Sequence, residues 1–121
     1  MPKANETALV NACLAYLTAS NAYVWRNNTG AVRSTYTRKR DGKTRERMIR
    51  FNKPGMSDIV GVGPYGTFIA VECKRLPNRL KDGSNQADFL EKIALMGGFA
   101  TCVYDVEQLQ KEWKEFFNAN T

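Results

Sequence analysis

Leu9, Val10, Cys13, Tyr16 and Leu17 recur at intervals of three and four, the spacing that lines one face of an α-helix. They predict a helix from about Lys3 to Ala19, closed by Ser20-Asn21. Glu6 falls on the same stripe, so a carboxylate stands at the N-terminal end of the inward face. Tyr23 to Arg26 reads as a short strand before Asn27-Asn28-Thr29-Gly30 turns the chain. Two apolar runs, Asp58–Val62 and Phe68–Cys73, flank the loop residues Gly63-Pro64-Tyr65-Gly66-Thr67 and predict an antiparallel pair of strands. From Ser84 to Met96 a second amphipathic helix turns Leu90 and Ile93 inward, and Gly97-Gly98 stops it. Phe99–Tyr104 reads as a buried strand. Asp105, with Gln108 three residues on, caps a last helix whose apolar face holds Val106, Leu109, Trp113, Phe116 and Phe117.

Between these elements lies a segment of another kind. From Arg26 to Lys53 there are ten Lys or Arg against Asp41 and Glu46, so the whole chain's net charge of +6 is concentrated there. Asp41-Gly42 is a strong two-residue turn signal and predicts a hairpin over about 31–51. With that turn Arg40 faces Lys43, Arg38 faces Arg45 and Tyr36 faces Arg47, and like charges opposed across a ladder repel. Neither face is continuously apolar, so the hairpin has little core to bury. Such an arm is either a solvated surface loop or one that a polyanion neutralises, and Tyr36 is either a strand former or a ring for an unpaired base at a branch point.

Composition narrows the chemistry. The 121 residues suit one α/β domain, 1–121, ordered α-β-β-β-α-β-α around a mixed sheet with the basic hairpin inserted. The chain contains no histidine, which removes Ser-His-Asp and Cys-His catalysis and His-ligated zinc. Cys13, Cys73 and Cys102 are widely spaced and odd in number, which argues against a disulfide framework and for a reducing cytoplasm. No apolar run approaches the length of a membrane span, and MPKANETALV lacks the pattern of a signal peptide. Cys13 and Cys102 read as small buried hydrophobes. Trp113, Phe116 and Phe117 suit either the core or an interface between two copies.

The strand pair concentrates the remaining chemistry. If its loop is symmetric about Tyr65, Val62 faces Phe68, Val60 faces Ala70 and Asp58 faces Glu72. Lys74 lies two residues beyond Glu72 and points to the same side. Glu-x-Lys by itself is an ordinary strand-end ion pair. Two carboxylates meeting beside a core is another matter, because each resists ionisation next to the other. A hard divalent cation, Mg²⁺ or Mn²⁺, removes that conflict and can polarise a phosphoryl oxygen. Lys74 is suited to orient or deprotonate an attacking water, or to hold the phosphate. Gln86, early on the second helix and in line with Leu90 and Ile93, is a further polar group on an apolar face.

Gly55-Met56-Ser57-Asp58, Glu72-Cys73-Lys74 and Gln86, with Gly97-Gly98 before the last strand, resemble in order and spacing the virus-type replication-repair nuclease (VRR-NUC) domain. That family is a branch of the PD-(D/E)xK superfamily, and Trp25-Arg26-Asn27-Asn28-Thr29-Gly30 is similar to it as well. The likeness runs over nearly the whole chain, with Ser57 standing where the superfamily has proline. It implies a restriction-endonuclease-like core and a Mg²⁺- or Mn²⁺-dependent DNA endonuclease without an organic cofactor. Asp58, Glu72, the backbone carbonyl of Cys73 and Glu6 would bind metal; Lys74 would position or deprotonate the water; Gln86 would orient water, lysine or phosphate. Stand-alone members of this size are similar to Holliday-junction resolvases, which implies a homodimer acting on branched DNA in a bacterial or phage-infected cytoplasm. The DNA-contact candidates are Arg33, Arg38, Arg40, Lys43, Arg45, Arg47 and Arg50 on the arm, with Arg26, Asn28 and Lys53 nearer the cleft. Two alternatives are a non-catalytic nucleic-acid-binding module on the same scaffold, and a restriction-type or RNA-directed nuclease.

Overall fold

A computed structural model describes residues 5–27, 31–50 and 55–118; for residue 5 and residues 31–34 and 46–50 it describes the backbone alone. The elements follow as α1 (Asn5–Ala19), β1 (Tyr23–Arg26), β2 (Ala31–Thr37), β3 (Thr44–Arg50), β4 (Ile59–Val62), β5 (Phe68–Cys73), α2 (Asn85–Leu95), β6 (Phe99–Val103) and α3 (Val106–Asn118). The chain is thus mixed α/β, with a four-stranded sheet in the order β1-β4-β5-β6 and a separate two-stranded sheet of β2 and β3. β1 and β5 both run antiparallel to β4, while β6 is parallel to β5, reached through α2 as the crossover. Among the described residues no helix is long and apolar enough to cross a membrane.

Strand alternation divides the sheet into two unequal faces. Ile59, Ile69, Val71, Cys73, Phe99 and Val103 pack against Leu9, Val10, Cys13 and Leu17 of α1 and Leu109 and Trp113 of α3, and this is the main core. Phe116 and Phe117 join it around Phe99, with ring centroids 5.3 and 6.4 Å from that ring. The aromatic end of α3 therefore belongs to the core, which settles the choice between core and interface for Trp113 in favour of the core. On the opposite face Val60, Ala70 and Leu90 are buried, and α2 packs on β5 and β6. β1 and the distal ends of β4 and β5 leave Tyr23, Trp25, Val62 and Phe68 exposed there.

Several boundaries come from local chemistry. Asn21 closes α1 in the left-handed conformation with φ 67°, while the Ala22 N–H returns to the Leu17 carbonyl at 3.0 Å. The Ser84 hydroxyl caps α2 by accepting the Ala87 N–H at 3.1 Å. Asp105 caps α3 through the Gln108 N–H at 2.7 Å. The Gln108 side chain does not close the expected reciprocal bond to Asp105; it accepts from Tyr104 N–H and donates to the Cys102 carbonyl, tying α3 to β6.

The basic hairpin exists, but its register differs from the expected one. Tyr36 faces Arg45, Thr37 faces Thr44 and Ser34 faces Arg47, two residues away from the pairing a tight Asp41-Gly42 turn would set. The loop is longer because Asp41 folds it from within. Its carboxylate accepts the Lys43 N–H at 3.0 Å and pairs with the Arg38 guanidinium at 2.5 Å, and the Gly42 N–H reaches the Arg38 carbonyl at 2.8 Å. Arg38 and Arg40 consequently lie beyond the last ladder pair, where the Arg38 N–H donates to the carbonyl of the opposed Lys43 at 3.0 Å and the Asp41 carboxylate offsets the charge of Arg38.

Candidate functional site

β4 and β5 pair as expected, Val62 with Phe68, Val60 with Ala70 and Ile59 with Val71. Asp58 lies one residue outside the strand, so its backbone no longer serves the ladder there. Its side chain serves instead: Asp58 Oδ2 accepts the Cys73 N–H at 2.8 Å. On the other side the Asn27 N–H donates to the Asp58 carbonyl at 2.7 Å, extending β1 along the same line. The registers thus bring Asn27, Asp58, Glu72 and Cys102 into one row across all four strands, on the face that α2 half covers.

Glu72 is the unusual member. It is only 2% exposed, Oε2 stands 3.8 Å from Lys74 Nζ, and Oε1 is buried without a hydrogen-bond partner. Burial first, then the negative charge of Asp58, pushes its carboxyl up to about 7 from an ordinary 4.5. Lys74 and a backbone hydrogen bond from Asp58 pull the other way, and Glu6 adds a smaller upward push. A carboxylate this dry, with one oxygen unsatisfied and a second carboxylate beside it, is costly to keep ionised with Lys74 alone as its counter-charge. The pair Asp58 and Glu72 fits a hard divalent ion, because oxygen donors suit Mg²⁺ or Mn²⁺ and the ion would complete the coordination of Oε1.

The other expected groups stand at varying distance from this pair. Glu6, half-buried in the first turn of α1, reaches Glu72 through its field. Among the described residues no group of three or more carboxylates, thiols or imidazoles is gathered at one point. Cys73 turns its thiol into the core, where a contact with the Cys13 thiol, followed by burial, pushes it far above the usual range. Only its backbone faces the site. Cys102, expected buried, is half-exposed. Gln86 occupies the first turn of α2, half-buried and without a hydrogen bond among the described residues.

Gly55 explains how α2 is held to the site. Its φ is +84°, and a Cβ built there would overlap the backbone carbonyl of Asn85. The turn that carries Ser57 and Asp58 therefore packs directly on the N-terminus of α2, next to Gln86. Ser57 is fully buried, and its Oγ has no partner.

Asn27 is the group that sequence reasoning passed over in favour of its neighbour Asn28. Its Nδ2 is buried without a hydrogen-bond partner, one strand away from Asp58. Alternation along β1 was the available signal, since Tyr23, Trp25 and Asn27 share the site face.

Of the proposed DNA contacts, Arg26 is exposed at the end of β1, and Arg40, Lys43 and Arg45 are exposed on the arm. Arg38 is half-buried and committed to Asp41. Arg33, Arg47 and Arg50 lie on described backbone without described side chains, and Asn28 and Lys53 lie outside the described residues. In comparisons with known proteins, the sequence matches no family model and no curated protein.

Proposed function

We propose that this chain is a Mg²⁺- or Mn²⁺-dependent, structure-selective DNA endonuclease with a restriction-endonuclease-like core of the VRR-NUC kind, acting on branched DNA as a homodimer. The observation that carries this reading is the meeting of Asp58, Glu72 and Lys74 at one end of the two central strands, with Glu72 Oε1 buried and unpartnered. The element order and mixed sheet are compatible with that core. The charge of the hairpin suits a polyanion.

Asp58 and Glu72 would hold the ion, with the Cys73 carbonyl beside them and Glu6 behind. The bound ion supplies Lewis acidity toward a phosphoryl oxygen and charge compensation in the transition state. Lys74, 3.8 Å from Glu72 Oε2 and partly exposed, orients the attacking water or takes its proton. Water adds to phosphorus in line with the departing ester oxygen; the P–O ester bond breaks, and that oxygen leaves with a proton. Gln86, in the first turn of α2 next to the contact between Gly55 and Asn85, would steer the water or the phosphate. Two sites related by a two-fold axis cut two strands symmetrically.

Cleavage of a four-way junction, a flap, a linear duplex and RNA under Mg²⁺ and Mn²⁺ tests this reading. The expected result is preferential junction or flap cutting that EDTA stops. Asp58→Ala should abolish cleavage and preserve or tighten junction binding, because one carboxylate fewer repels the phosphates. Preferred cutting of linear duplex at one sequence, or cleavage indifferent to Asp58→Ala, would overturn it.

A further inference from the structure

The geometry points to the exposed face of β1 as a track for an unpaired DNA strand, on which Tyr23 and Trp25 stack bases and Asn27 receives a phosphate next to the carboxylate pair. This deepens the nuclease reading and rests on it for the identity of the strand. Tyr23 is 78% exposed and Trp25 48%, with ring centroids 5.8 Å apart and planes at 64°. Large aromatic rings left open on a sheet edge need an occupant, and bases are the ligands whose faces fit them irrespective of sequence. β1 is an edge strand, so no further strand of the sheet stands beyond these rings.

Their place relative to the site favours nucleic acid. Trp25 faces Val60 across the ladder, and the row of Asn27, Asp58 and Glu72 is the next one on the same face. From strand spacing and rise, Trp25 lies roughly 12 Å from Glu72, a span of a few nucleotides. Asn27 Nδ2, buried and unpartnered, is a donor at the end of this line, where a phosphate oxygen would satisfy it. Arg26 alternates to the other face of β1, and beyond Asn27 the sequence leads into the basic hairpin. Aromatic rings and an amide donor thus follow one another along one face of a single strand.

The chain has two tryptophans, and Trp113 is buried at 6% exposure, so Trp25 reports on this face by its own fluorescence. Titration with a single-stranded oligothymidylate in EDTA, where no cleavage takes place, should quench that emission. A length-matched duplex should quench it much less. Trp25→Ala should remove the quenching and, by fluorescence anisotropy of labelled oligothymidylate, weaken binding roughly tenfold without changing the salt slope. Trp25→Phe should keep most of the affinity, and Asn27→Ala should weaken it further. Equal affinity for wild type and Trp25→Ala would overturn the track. So would a concentration-dependent dimer that Tyr23→Ala or Trp25→Ala turns into a monomer, since that assigns the face to a second copy. Because these titrations omit the cation, loss of nuclease activity in the cleavage panel leaves their outcome readable on its own.

Discussion

Burial beside Asp58 makes ionised Glu72 a cost to the fold that a neutral group in its place would avoid. Its carboxyl titrates at about 7 in the fold against 4.5 ordinarily. Between those values the folded chain binds more protons than the unfolded one, so stability falls as pH rises through the window and the penalty is complete above it. The shift corresponds to something on the order of 3 kcal/mol. In EDTA, Glu72→Gln should therefore be more stable than wild type at about pH 8 by roughly 1–3 kcal/mol, and should lack the decline between about pH 5 and 7. Urea unfolding at the two pH values checks this; equal midpoints at the higher pH contradict a buried, unsatisfied carboxylate. Gly55 makes the opposite kind of prediction. Gly55→Ala meets both a φ of +84° and the Asn85 carbonyl, and should lower stability by about 1–3 kcal/mol in the same measurement. Asp58 and Glu72 were legible in the sequence because turn symmetry and a period of two suffice to pair them. Asn27 and the Asn85 contact of Gly55 were not, since both depend on how β1 and α2 dock from elsewhere in the chain.

The hairpin of β2 and β3 shows where local pattern stops being enough. Asp-Gly signals a turn, but an aspartate that can accept both a backbone N–H and an arginine stabilises a wider loop. The register then moves by two residues, which leaves Arg38 opposite Lys43 as the one pair of facing cations among the described residues, with Arg38 matched by Asp41. The arm keeps its sign of charge while its members divide in task. Arg40, Lys43 and Arg45 are free of the Arg38–Asp41 pair and exposed, and replacing them together with alanine should weaken DNA binding and flatten its salt dependence. Arg38→Ala should instead disturb the loop and leave the slope nearly as steep. Anisotropy titrations across a salt series separate the two, and an unchanged slope in the triple variant removes the arm from DNA binding. Elements with a buried face were read closely: β5 at its full length, α2 by the glycines that stop it and α3 by its Asp105 cap. Their periodicity is set by one core, whereas the hairpin has no core to enforce it.

For the molecule as a whole, the sheet divides its labour between faces. α1 and α3 cover one side with the main core, and the aromatic residues of α3 close it around Phe99. The other side is only half covered by α2, which leaves a dry pocket for Glu72 and an open aromatic face on β1. The main core and the candidate site thus lie on opposite faces of the same four strands. For the proposed nuclease these strands would supply both carboxylates, the lysine and the approach for a strand, and would require a cation between Asp58 and Glu72. Isothermal titration of the wild-type protein with Mn²⁺ near neutral pH tests that requirement most directly. The account predicts saturable uptake that Asp58→Ala and Glu72→Gln each remove; the same uptake in all three proteins, or none in the wild type, would contradict it.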